Sequence, residues 1–129
     1  MSSLKDQILG QKARTTTINV PGWPVPVRLQ EMTVARKLAF YQIMSDNLKA
    51  VNDYKADPEK HPKAELLDEA LLGVIFSIVD ENDELVFSPD DMDHFQNVAY
   101  DAIREIYMTI LDRNSWANEA EEIEAEKKD

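Results

Sequence analysis

Between Ala64 and Val79 the charges are confined to Glu65, Asp68 and Glu69, in what would be the first turns of a helix, where acids suit the helix dipole. Leu66, Leu67, Ala70, Leu71, Val74, Ile75, Phe76, Ile78 and Val79 occupy almost the whole remaining circumference. A helix apolar on most sides belongs at the centre of a core, so the other elements must pack around this one. Gly73, in its middle, offers a neighbour a close approach. The apolar run is interrupted by Gly73 and Ser77 and is far shorter than the roughly 20 apolar residues that cross a bilayer. A soluble protein is expected.

Two further helices can supply the packing. Thr33 is a suitable N-cap for a helix running to about Tyr54. There Val34, Leu38, Tyr41, Met44, Leu48 and Val51 recur at intervals of three and four, one helical stripe expected to face the core. Phe40, Ile43 and Tyr54 lie off its centre, so this helix is expected to meet something on a second side. Ser88-Pro89-Asp90-Asp91 reads as an N-cap, a proline at the first helical position and acids in the first turn. The helix it opens is predicted to run to about Asp112. Its core face is Met92, Phe95, Ala99, Ala102, Ile106 and Ile110, flanked by Val98, Ile103, Tyr107 and Leu111.

Before these, residues 1–12 allow a short helix through Leu4, Ile8 and Leu9, ending near Gly10 and too short to persist without packing. TTTINV is rich in β-formers and Val25 to Leu29 alternates apolar with other residues, so residues 15–20 and 25–30 read as a β-hairpin around Pro21-Gly22-Trp23-Pro24, a strong turn sequence. Because Pro26 has no N–H to give to a ladder, its strand is expected at an edge or at a bulge. A lone hairpin is marginal, so Ile18, Val20, Val25, Val27 and Leu29 should lie on the helices. The fold class expected is mainly α (α+β): a small bundle of three main helices with a short N-terminal helix and a small hairpin. The domain spans 1–112, and residues 113–129 form an acidic, flexible tail.

Charge and chemistry narrow the function. The formal charge of −11 is concentrated in Asp80–Asp93, at −7, and Asn114–Asp129, at −4, and the rest of the chain is balanced. Phosphate affinity comes from Lys and Arg clusters, so neither nucleic acid nor an anionic membrane is a fitting partner. The chain has no cysteine, hence no disulfide, thiol nucleophile or thiolate-bound metal, which fits a reducing, cytoplasmic compartment. Aligned to a calcium loop, Asp80, Asn82 and Glu84 would be ligands, but Leu85 stands where the turn needs Gly and Asp91 where a Glu is usual. His61 and His94 lack a partner at zinc spacing, and three glycines cannot build a phosphate loop. No catalytic centre, metal or cofactor is expected; the protein is not an enzyme. The residues singled out for partner binding are Trp23, Phe40, Ile43, Tyr54 and Trp116. Trp23, at the tip of its turn, either anchors a partner or folds back over the core. Trp116 either latches the tail to the domain or meets a partner.

The order of segments carries more information than any single motif. Ile18 to Thr33 reads INVPGWPVPVRLQEMT, and Val74 to Asp91 reads VIFSIVDENDELVFSPDD. Together with the KDQIL helix, they resemble the tail assembly chaperones of long-tailed, siphovirus-type bacteriophages over about residues 3–112. Those proteins carry an early V-x-V-P-x-W segment followed by V-x-V-R-x-(L/M)-T. A later apolar helix ends in D-E-(D/N)-x-x-x-(L/V)-F-(S/T)-x-(E/D)-D. Asp83 departs from the pattern, standing where a turn glycine is often seen. The resemblance implies a non-catalytic, late viral morphogenesis protein of the host cytoplasm. It would bind the tape measure protein and keep it soluble until the tail tube polymerises. The tail tube (major tail) protein would be engaged through a longer form made by ribosomal frameshift, this chain looking like the short form, and a homo-oligomer would also fit. The alternative left open by composition is an acidic adaptor for a basic phage or host protein.

Overall fold

A computed structural model describes residues 3–116. Along the chain come α1 (Leu4–Leu9), β1 (Thr15–Ile18), β2 (Val27–Gln30), α2 (Val34–Ala56) and α3 (Glu69–Ile75). A 3-10 helix (Pro89–Phe95), α4 (Tyr100–Leu111) and a last 3-10 turn (Arg113–Ser115) follow. This is the α+β class expected: several helices with one small antiparallel hairpin.

The hairpin pairs Thr15 with Gln30 through Ile18 with Val27. Its turn closes with the Trp23 N–H donating to the Val20 carbonyl at 3.0 Å, Gly22 taking φ +84° after Pro21. That is a type II turn, in which only glycine takes the third position without strain. β2 is not an edge: Gln30 N–H donates to Ser77 O at 2.8 Å and Val79 N–H to Arg28 O at 3.0 Å. Leu29 thus faces Ile78 across an antiparallel bridge, and Val79 in turn faces Leu85. The strand tolerates this because it begins at Val27, leaving Pro26 just outside the ladder. Val20, Val27 and Leu29 are buried as expected, whereas Val25, on the turn, is exposed.

The helix expected over 64–79 is shorter at both ends. Residues 64–68 stay outside the helix, where Asn47 of α2 holds their backbone, donating to Glu65 O and accepting from Leu67 N–H, both at 2.9 Å. Asp68 then caps the helix, its carboxylate accepting from Leu71 N–H at 3.0 Å. At the far end the β-branched pair Ile78 and Val79 leaves the helix to join β2. Residues 72–79 are nonetheless buried without a break, so the segment is the centre of the core. The third helix also divides: after the Pro89–Phe95 turns the chain bends at Gln96-Asn97, Ala99 is extended and exposed, and α4 starts at Tyr100. Asn is a poor helix former, and Phe95 is held edge-on against Phe87, 4.9 Å between ring centres.

Two apolar clusters meet at the central segment. Val74 and Ile78 pack with Val20, Val27 and Leu29 of the hairpin, Ala102, Ile103 and Ile106 of α4, and Trp116. Leu72 and Phe76 pack on Phe40 of α2, with Met32, Ile43, Met44, Leu85 and Met92 around them. At Gly73 α4 comes close: a Cβ there would lie 2.8 Å from Cε1 of Tyr107. Trp116 is 7% exposed and its indole N–H donates to Ile110 O at 3.1 Å, so the packed chain extends past the expected boundary at 112. The expected flexible tail otherwise falls on residues 117–129, which lie outside the described residues.

Candidate partner-binding surface

α2 runs for 23 residues, about 34 Å at 1.5 Å per residue, yet Phe40 and Val51 are its only buried residues. The stripe expected to face the core faces outward. Val34 is 78% exposed, Leu38 64%, Tyr41 57% and Leu48 51%. Only its inner edge reaches the body, through Met44 and Val51. The off-stripe residues turn inward instead: Phe40 is 3% exposed and packs edge-on to Phe76 at 6.5 Å, Ile43 packs beside it, and Tyr54 is half-buried. Phe40 and Ile43, expected as partner contacts, are therefore held in the second cluster. The reason lies in the partner face: the central segment presents Leu72 and Phe76, and the large ring of Phe40 fills the space between α2 and both.

The outer stripe is ordered from beneath. Tyr41 lies edge-on to Phe40, 5.8 Å between centroids, and the Lys37 ammonium sits 5.2 Å from the Phe40 ring centre and 5.1 Å from that of Tyr41. A phenol in contact with a buried ring and a cation loses less freedom on meeting a partner than a free one. Leu66, also exposed, rides on the return segment that Asn47 clasps to α2. The two tryptophans expected as anchors pack inside the fold: Trp23 is half-buried against the first cluster and Trp116 is within it.

The base of α2 is fixed by polar contacts. Arg36 in its first turn donates to the buried Gln30 side chain at 2.7 Å and to Asp83 O at 2.9 Å. Asp83 has φ +63°, the left-handed conformation for which glycine is the usual residue. Its carboxylate accepts from Arg28 Nη2 at 2.7 Å and Nε at 3.2 Å, a charge-assisted pair that offsets the backbone cost. In the same turn Asp80 accepts from the N–H groups of Asn82 and Glu84, so the carboxylate aligned with the first calcium ligand serves the turn itself. Among the described residues no three His, Cys, Asp or Glu side chains gather as a metal site, and no helix is long and apolar enough to cross a membrane.

On the opposite corner Arg14 and Glu31 extend the hairpin. Glu31 accepts from Arg14 N–H at 2.7 Å and from its guanidinium at 3.1 Å, while Arg14 Nη1 reaches Trp116 O at 3.4 Å. Partial burial pushes the Glu31 carboxyl upward, but the hydrogen bonds and charge of Arg14 outweigh it and hold the pKa below the ordinary value. Tyr100 ties α4 to the cap of α3, its hydroxyl donating to Asp68 at 3.0 Å, and that bond with the carboxylate charge raises the phenol pKa.

Comparison with known proteins gives one kind of likeness. No family model and no curated protein sequence matches the chain. Among solved structures the fold matches the tail assembly chaperone of bacteriophage HK97 with a TM-score of 0.50 and 18% identity, over 86% of this chain and 93% of that one. The chain thus has a fold similar to that of a phage tail assembly chaperone.

Proposed function

We propose that this protein is a non-catalytic phage tail assembly chaperone, the short form of a siphovirus-type pair, that binds the tape measure protein in the host cytoplasm. It keeps that long helical protein soluble until the tail tube polymerises around it, and a frameshifted longer form brings in the tail tube protein. The observation that carries this reading is the outward stripe Val34, Leu38, Tyr41 and Leu48 on a helix otherwise anchored by its opposite side. Large apolar side chains repeated along one exposed helix face suit an amphipathic partner helix laid alongside. The HK97 likeness of fold supports placing the chain in tail assembly.

The test is co-expression with a candidate tape measure protein, scoring soluble yield and co-purification. Leu38→Asp together with Leu48→Asp should abolish both while leaving the circular dichroism spectrum unchanged, since both side chains are exposed outside the core. Retention of the complex at moderate salt is expected, because apolar burial is not screened. Loss of the complex with salt alone, reproduced by neutralising the exposed Glu81, Glu84 and Asp93, would favour the acidic adaptor instead. No co-purification under any condition would sink the chaperone reading.

A further inference from the structure

The charges that border the α2 stripe oppose the sign of the whole molecule. At about 100° per residue, Val34, Leu38, Tyr41 and Leu48 cover one sector of the helix. Lys37 and Lys55, eighteen residues or five turns apart, lie along one margin of that sector, and Lys49 lies along the other. All three are exposed, and among the described residues Lys49 and Lys55 make no ion pair. Asp46 and Asp53 of α2 fall farther round, beyond the margin, where Asp46 already accepts from Gln42 at 2.8 Å. A chain with net charge −11 therefore presents its exposed apolar stripe inside a lysine border.

We infer that the α2 face selects an amphipathic helix whose apolar stripe is flanked by acidic residues. This rests on the chaperone reading above and names the chemistry of the partner segment. Apolar burial supplies the affinity, and the lysine border supplies the choice among otherwise similar helices, since rim charges act mainly on selectivity and encounter. Helices bordered by Lys or Arg meet like charge on both margins and are rejected. Among the described residues, the outer side of α4 also exposes apolar side chains with acids along one margin, though Arg104 stands among them. There the exposed Tyr100, Met108 and Leu111 lie beside Asp101, Glu105 and Asp112, so a second copy is the competing occupant.

The experiment uses the full chain and two synthetic 21-residue helical peptides sharing one leucine stripe, one bordered by glutamate and the other by lysine. Fluorescence anisotropy at low salt should show the glutamate peptide binding about tenfold or more tightly, as expected for a few rim pairs each worth up to about 1 kcal/mol. The triple variant Lys37→Glu, Lys49→Glu, Lys55→Glu should reverse the preference with an unchanged circular dichroism spectrum, and Leu38→Asp should remove binding of both peptides. Equal affinity for the two peptides would overturn the charge selection while leaving the chaperone reading intact. Binding of neither peptide, with tape measure co-purification preserved, would also overturn it. Concentration-dependent dimerisation abolished equally by the triple variant and by Met108→Asp, with no peptide discrimination, would give the face to a second copy instead.

Discussion

Replacing Gly73 by alanine should change sign with its neighbour. Alone, a Gly→Ala change inside a helix stabilises by about 1 kcal/mol, because glycine loses more backbone freedom on folding. At position 73 the added Cβ would stand 2.8 Å from Cε1 and 3.1 Å from Cδ1 of Tyr107, whose ring lies between α3 and α4. Ordinary contact begins near 3.4 Å, so the ring or α4 must give by about half an ångström, and overpacking of this kind costs about 1–3 kcal/mol. The net expectation for Gly73→Ala is a loss of about 0–2 kcal/mol. In a Tyr107→Ala background the same methyl meets no ring, and the helix term should emerge as a gain of up to about 1 kcal/mol. Urea melts of the four proteins, read as midpoints at constant m-value, close the cycle and should give a coupling of about 1–3 kcal/mol. A stabilising Gly73→Ala in the Tyr107 protein would refute the close approach and, with it, the packing of α4 on the central segment.

Trp116→Ala should cost about 3–5 kcal/mol, the range for a buried aromatic, and a chain ended at Ser115 should melt correspondingly lower; an unchanged melting temperature would put Trp116 outside the core. Asp83→Ala should be worse than Asp83→Gly by about 1 kcal/mol in denaturant melts, because alanine loses the Arg28 pair and keeps the φ +63° cost whereas glycine loses only the pair. The Glu31 carboxyl sits below its unfolded value of about 4.3, so its stabilisation is complete above that pH and drains as pH falls through the folded pKa. Glu31→Gln should therefore lower stability near neutrality by about 1 kcal/mol and converge with the parent in acid; a constant difference across the acid limb would mean the charge is not what Arg14 holds. Calorimetric titration with calcium should show no binding tighter than about millimolar, and a micromolar isotherm abolished by Asp80→Ala would overturn the reading of that turn.

Local chemistry was legible wherever the signal is local. Pro21-Gly22 made its turn, Thr33 capped α2 with its hydroxyl accepting from Arg36 N–H, and the expected hairpin formed over the shorter strands Thr15–Ile18 and Val27–Gln30. The apolar block ending at Val79 announced its burial, since no arrangement leaves that much hydrocarbon in water. Its conformation was another matter. An unbroken apolar run carries no period, so whether Ile78 and Val79 continue a helix or leave it for β2 depends on Leu29 and Arg28, some fifty residues away in the chain. The same limit decided the candidate surface. Periodicity says which residues of α2 share a side, not which side meets the body, and α2 carries apolar residues on more than one. Only the packed structure, with Leu72 and Phe76 waiting for Phe40, turned the main stripe outward and made Val34, Leu38, Tyr41 and Leu48 the face left for a partner.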